Sequence, residues 1–358
     1  MGRAIKMNFS DYTLVSFGDS FTFGQGAGKD TRESLIQKNS DSIAGWQIEY
    51  RNQSNESSYT RFVSDELKFK NYLNAANPGA SNGSILFNLS RFLTSNKDKK
   101  VFIIVGLTLP DREFYITKFN DRIKDDSELS TRYLSESIWS SNIPQALRNK
   151  RDKELHPPTL KLSDRWFNDY FGYWVNKENI YFRSFNEIYT IIKLLQESGH
   201  PHIVVDVIND LNKIIDKNFN IGFSNLYNRN YEDRIMDSAE SVGLNNFSQS
   251  NKLKNENFLT TTYEIYKNEL EQSMLTHEYM WDFLEKDTSK KLEKRPWTNL
   301  SGFLNHRFLL HNNNIKNNDL FRKKYLSNHK DDLHWNEYSH RLVASLIVYY
   351  IRKSKKYE

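Results

Sequence analysis

The chain has 358 residues, 38% of them hydrophobic and 14% aromatic, so it can bury a large core and is not a disordered sequence. Lys and Arg number 50 against 45 Asp and Glu, and this net charge of +5 is too small and too dispersed for a nucleic-acid footprint. The absence of cysteine excludes disulfides, thiolate catalysis and cysteine metal sites, and leaves the redox compartment open.

Residues 1–12 form a polar lead without a hydrophobic signal core. Thr13 to Gly18 is predicted as the first strand, and Gly18-Asp19-Ser20 turns it into a segment that can begin a helix. Gly24-Gln25-Gly26-Ala27-Gly28 continues that turn region but fits neither GxxxxGK[ST] nor GxGxxG, so it is a poor phosphate cradle. Residues 29–58 are polar and are expected to form an insertion over the end of the first strand. Tyr59, Phe62, Val63 and Leu67 have helical spacing, which predicts a helix from Tyr59 to Lys68.

Tyr72 to Ala76 is predicted as a short strand, and Asn77-Pro78-Gly79-Ala80-Ser81-Asn82 has turn chemistry. Ser84 to Leu93 is amphipathic and predicted helical. Val101-Phe102-Ile103-Ile104-Val105, within Lys100 to Gly106, is a continuous apolar run of the kind buried on both faces of a parallel sheet. Leu107-Thr108-Leu109-Pro110 follows as a loop at the carboxyl end of that strand. Residues 111–180 are loop-rich and aromatic, with Pro144, Pro157 and Pro158.

Ile188, Ile191, Ile192 and Leu195 predict a helix from Phe185 to Glu197, ended by Gly199, and Ile203 to Ile208 predicts the next buried strand. Residues 210–325 are polar and Asn-rich, helical or irregular, with a helix from His277 to Lys286. Tyr338 to Lys353 is predicted as an amphipathic helix packing through Leu342, Leu346 and Tyr349. The longest apolar run, Leu342 to Ile351, is too short to span a bilayer, so no membrane is expected and the protein is read as soluble. Three basic clusters, 97–100, 322–324 and 353–356, are expected at solvated loops or helix ends. Strands alternating with helices imply an α/β fold, a parallel sheet with helices on both faces. A single domain spans 1–358, with insertions at about 29–58, 111–180 and 210–325 around the carboxyl edge of the sheet.

A serine at a strand–turn–helix junction can be a nucleophile, although Gly18-Asp19-Ser20 alone reads more readily as a tight turn with a cap. A nucleophilic serine needs a base, and the base needs an orienting acid. Among nine histidines only His334 follows an aspartate by three positions, Asp331, just before the last predicted helix. His200 and His202 flank a strand, but Pro201 and the lack of a nearby acid argue against a metal pair. His340 reads as a packed or capping residue. Trp139, Trp166, Trp174 and Trp281 read as local core anchors, with sugar stacking as the alternative.

Taken together these segments resemble the SGNH (GDSL-type) hydrolase family in four blocks. Gly18-Asp19-Ser20-Phe21-Thr22 is the first and Asn74-Ala75-Ala76-Asn77-Pro78-Gly79-Ala80-Ser81 the second. Val105-Gly106-Leu107-Thr108 stands at the third, and Asp331-x-x-His334 followed by Asn336, Ser339 and His340 at the fourth. The resemblance implies a three-layer, flavodoxin-like SGNH fold and a cofactor-free, metal-free serine esterase. Ser20 would be the nucleophile, His334 the general base and then acid, and Asp331 the group that orients His334. The N–H groups of Ser20 and Gly79 would form an oxyanion hole, worth roughly 3 kcal/mol per donor.

The third block departs from the family, which places an asparagine where this chain has Thr108. Thr108 and, with lower weight, Asn82 are the candidate side-chain contributors to the oxyanion or substrate pocket. Gly106-x-Thr108-x-Pro110-x-Arg112 looks like a variant in SGNH-like proteins of tailed bacteriophages. Arg112 there is either a cation near the site or an ordinary loop-anchoring arginine. The implied partner is an acyl-ester substrate, an O-acetyl group on a polysaccharide by analogy, with no nucleic acid. The implied location is cytoplasmic or in a virion, as a homo-oligomer or a part of a particle. The alternatives are a structural or adsorption component with weak or lost activity, and acyl transfer to a sugar acceptor through the same residues.

Overall fold

The computed structural model describes residues 7–28, 30, 34–35, 43–108, 177–207, 273–275, 277–292, 299–312, 318–327 and 334–357. The expectations that rest on 111–176, on 208–272, and on Trp139, Trp166, Trp174, Arg112 and Asp331 lie outside the described residues.

Four strands, β1 (Thr13–Phe17), β2 (Asn71–Asn74), β3 (Val101–Leu107) and β4 (His202–Asp206), form one parallel sheet in the order β2-β1-β3-β4. That order runs one way from β1 to β2 and the other way from β1 to β3, as in flavodoxin-like doubly wound sheets. The crevice that such a reversal opens lies beyond the carboxyl ends of β1 and β3, which lead directly into Asp19-Ser20 and Thr108.

The helices among the described residues are α1 (Ser20–Phe23), α2 (Ile43–Glu56), α3 (Tyr59–Leu67), α4 (Asn82–Ser95) and α5 (Lys177–Ser198). They continue with α6 (His277–Thr288), α7 (Leu300–His311), α8 (Asn318–Tyr325) and α9 (Glu337–Lys353). Side chains alternate across the strands, so the sheet feeds two separate cores. Leu14, Phe102, Ile104, Ile203 and Val205 face α3 and α6 to α9, whereas Val15, Phe17, Ile103, Val105 and Val204 face α4 and α5. Every residue of β3 and β4 is buried, which explains why β3 reads in sequence as an unbroken apolar run and β4 as an apolar centre, Ile203 to Val205, between His202 and Asp206.

The strand and helix expectations hold to within a few residues, with three instructive differences. Helix α5 starts at Lys177, eight positions before Phe185. Residues 43–56, within the stretch expected as an insertion, form α2, a helix the sequence reading did not assign. The buried stripe of α9 is centred on Val343, Leu346, Ile347 and Tyr350, while Leu342 and Tyr349 flank it half-buried.

Helices α6, α7 and α8 lie within the stretch read as an insertion, yet their Met280, Leu284, Phe303, Phe308, Phe321 and Tyr325 are integral to the first core. Trp281 is also buried there, with its ring 5.4 Å from that of His306. Lys97 to Lys100 are exposed, as expected of a solvated loop, and so is Lys356. Its Nζ donates to the His202 carbonyl at 3.3 Å, and partial desolvation lowers its pKa. Among the described residues no helix is long and apolar enough to cross a membrane.

Candidate active site

The turn after β1 is built by Asp19. Its Oδ1 accepts the Phe21 N–H at 3.0 Å, capping the short helix α1 and placing Ser20 at the first helical position. The segment after β2 is tied to this turn. Asn77 N–H donates to the Gly18 carbonyl at 2.9 Å, and Ala80 N–H closes the turn onto the Asn77 carbonyl at 3.1 Å. Gly79 sits inside that turn at φ +91°, a left-handed conformation that a side chain would strain. One strand below, Asn74 accepts from the Ser16 hydroxyl at 3.1 Å and donates to the Phe23 carbonyl at 3.2 Å. The Ser20 and Gly79 turns are therefore braced against each other from both sides.

His334 arrives from the far end of the chain. Leu326 and Trp335 form an antiparallel bridge, with Ser327 N–H donating to the His334 carbonyl at 2.8 Å and Asn336 N–H to the Tyr325 carbonyl at 3.1 Å. Asn336 then caps α9 by accepting the Ser339 N–H at 3.0 Å. The ring of Phe21 lies 5.0 Å from both the His334 ring and the buried Trp335 ring. This packing brings His334 Nε2 to 2.8 Å from Ser20 Oγ, across 314 positions of sequence. With Nε2 unprotonated, the Ser20 hydroxyl donates to it, which is the geometry proton abstraction from an attacking oxygen requires.

The two side-chain candidates at the pocket are engaged elsewhere. The Thr108 hydroxyl donates to Asp19 Oδ2 at 2.8 Å, and the Thr108 backbone N–H donates to Asn82 Oδ1 at 3.0 Å. Asn82 Nδ2 donates to the Thr108 carbonyl and to Ser184 Oγ, both at 3.1 Å. An amide has two N–H donors and a hydroxyl one, so in this arrangement neither side chain has a donor left for an oxyanion. Gly106, the preceding member of the block, is required by close approach, since a Cβ there would run into the Thr22 side chain. Thr22 Oγ1 in turn shares a hydrogen bond of 3.0 Å with the buried Tyr59 hydroxyl, whose pKa burial raises.

His340 lies behind this layer. It accepts the Tyr59 N–H at Nδ1, and burial, with the nearby His334 charge, depresses its pKa to about 3, so it stays neutral. His202 is 2.8 Å from the His200 carbonyl through Nδ1 and 3.3 Å from Ser273 Oγ through Nε2, and burial first of all lowers its pKa to about 4. Among the described residues no three His, Asp or Glu cluster as metal ligands. The sequence singled out Ser20, His334, Gly79, Thr108 and Asn82 but not the bracing role of Asp19, whose only signal was its place before the serine.

No protein-family model and no curated protein sequence matches the chain. The solved structures similar to it include two esterases. One is a carbohydrate esterase whose active site displays divergent catalytic and non-catalytic binding functions, with TM-score 0.40 and 12% identity over 98% of this chain and 68% of that one. The other is the acetyl xylan esterase AlAXEase, with TM-score 0.34 and 10% identity over 94% of this chain and 97% of that one. At that degree of superposition neither likeness fixes the fold or the chemistry. The α/β class rests on the strand order itself.

Proposed function

We propose that this protein is a serine esterase of the SGNH type that hydrolyses small acyl esters, with O-acetyl groups on a carbohydrate as the substrate class. The observation that carries the reading is the 2.8 Å approach of Ser20 Oγ to His334 Nε2 beside the Gly79 turn. As Oγ attacks the acyl carbonyl, its proton passes to His334 Nε2. The tetrahedral oxyanion is held by the N–H groups of Ser20 and Gly79. Collapse expels the alcohol, which takes the proton from His334, and leaves an acyl-Ser20. Water then attacks with the same proton relay in reverse, releasing the acid and restoring the hydroxyl. Asp331, assigned through the resemblance, keeps the imidazole in the tautomer that leaves Nε2 open. The carbohydrate assignment likewise rests on the resemblance.

The test is turnover of an aryl acetate together with acetate release from an O-acetylated polysaccharide. Ser20→Ala is expected to lower the first by at least about 10³-fold. An unchanged rate in that variant overturns the reading. The capture of the Thr108 hydroxyl by Asp19 favours one second reading, a scaffold of weak or lost activity serving as a structural or adsorption component. Folded wild-type protein that co-purifies in a particle and turns over no ester supports that alternative.

A further inference from the structure

We infer that Thr108 and Asn82 are positioning residues that lock the Ser20 and Gly79 turns into one oxyanion-binding unit. This rests on the serine-esterase reading and assigns to both residues a role other than direct donation to substrate. An oxyanion hole built from two backbone N–H groups works only if both lie 2.7–3.1 Å from one point in space. Here the two N–H groups belong to turns after different strands, β1 and β2, so something must fix their separation. Two backbone bonds, from Asn77 to Gly18 and from Ala75 N–H to the Ser16 carbonyl, brace one side of the pair.

The other side is braced through the end of β3. Asp19 is fully buried and stands immediately before Ser20. Its two oxygens divide their work: Oδ1 holds the Phe21 N–H of the nucleophile's own helix, and Oδ2 takes the Thr108 hydroxyl. A buried carboxylate oxygen that loses its donor is costly, so the hydroxyl fixes the angle of the Asp19 side chain. The Thr108 peptide is then gripped at both its N–H and its C=O by the Asn82 amide. Asn82 is the first residue of α4, three positions after Gly79, and its remaining N–H is anchored on Ser184 of α5. The chain of contacts thus runs from the Ser20 turn through Asp19, Thr108 and Asn82 to the Gly79 turn, entirely out of solvent.

This tie explains how threonine can stand where the family pattern has asparagine. A shorter side chain withdraws from the pocket and reaches the acid of the nucleophile turn. Misplacement of reacting groups by about 1 Å can cost on the order of 10²-fold in rate without touching substrate affinity.

The experiment compares wild type, Thr108→Val, Thr108→Ser and Ser184→Ala, with active sites counted by covalent labelling of Ser20 with a fluorophosphonate. Rates per labelled site exclude misfolded molecules. Thr108→Val, which keeps the shape and removes the hydroxyl, is expected to lower kcat per site by 10- to 100-fold with KM within twofold. Thr108→Ser restores kcat to within about threefold of wild type, because the hydroxyl is what acts. Should Thr108→Val not fold, Ser184→Ala loosens the far end of the tie and is expected to lower kcat per site by about threefold with KM unchanged. Wild-type kcat per site in Thr108→Val, equal impairment in valine and serine variants, or an unaltered Ser184→Ala where valine does not fold would each overturn the inference. Wild-type protein that is neither labelled nor active overturns the esterase reading itself, and this inference with it.

Discussion

The ring of Tyr59 lies nearly parallel to that of His340, 10° between planes and 6.0 Å between centroids, and the Tyr59 N–H donates to His340 Nδ1 at 3.1 Å. The acceptor nitrogen carries no proton, so the native structure needs the neutral ring. Burial holds the folded pKa at about 3, whereas the unfolded chain protonates His340 near its ordinary value of 6.5. The unfolded state therefore binds more protons below pH 6.5, and stability falls as pH drops through that window toward about 3. The slope approaches about 1.4 kcal/mol per pH unit for one such group. His202, held near 4, adds to it in the same direction between pH 6.5 and 4. Urea unfolding at pH 7, 6 and 5 should give a shallower slope for His340→Asn, whose amide oxygen can still accept from Tyr59. Identical slopes would show that His340 is not a buried neutral group.

His334 is half-exposed and contributes little to the core, so its removal separates chemistry from stability. His334→Ala is expected to reduce kcat on an aryl acetate by at least about 10³-fold, because the proton of Ser20 loses its acceptor. Its melting temperature should stay within a few degrees of wild type. A variant that retains a tenth of the activity would point to another base.

Gly106 is where the sheet presses on α1, the helix that Ser20 opens. A Cβ there meets Thr22 and comes within 3.0 Å of the Tyr59 hydroxyl and of Val207. Gly106→Ala should destabilise by about 2 kcal/mol, as overpacking of a closed core does. Adding Thr22→Ala removes the first clash, so the double variant should be less destabilised than the sum of the single ones. Additive costs in denaturant unfolding would place the strain elsewhere.

Phe303 of α7 is fully buried in the first core, with its ring 5.8 Å from that of Phe283. Phe303→Ala is expected to cost about 3–5 kcal/mol, which an appendage outside the core would not. A cost below 1 kcal/mol in denaturant unfolding would mean that α7 packs independently of the sheet.

The strands were legible because burial on both faces writes itself into sequence. Val101 to Val105 is unbroken by any polar residue, and β3 is buried from end to end. Helix α9 was legible as a helix, but its orientation was not. Both Leu342 and Val343 are apolar, and only the position of the sheet decides which of them points inward. Helix α2 carries too few apolar residues for any period to emerge from 43–56. Ser20 and His334 could be singled out as candidates because serine and histidine are residue types recognisable as a possible nucleophile and base. The partners of Thr108 could not. Its bonds to Asp19 and Asn82 span 89 and 26 positions and exist only once three strands lie side by side.

The candidate base His334 is tied to the chain on one side through the antiparallel pairing of Leu326 with Trp335. His334 is held by the Leu326–Trp335 bridge and by Ser327, at the exit of a helix only eight residues long, α8. The serine, by contrast, is rooted in the central strand of the sheet. Warming should therefore unlatch α8 and carry the imidazole away while the sheet still stands. Loss of turnover is expected several degrees before loss of the far-ultraviolet circular dichroism signal, and the lost activity should return on cooling from that interval.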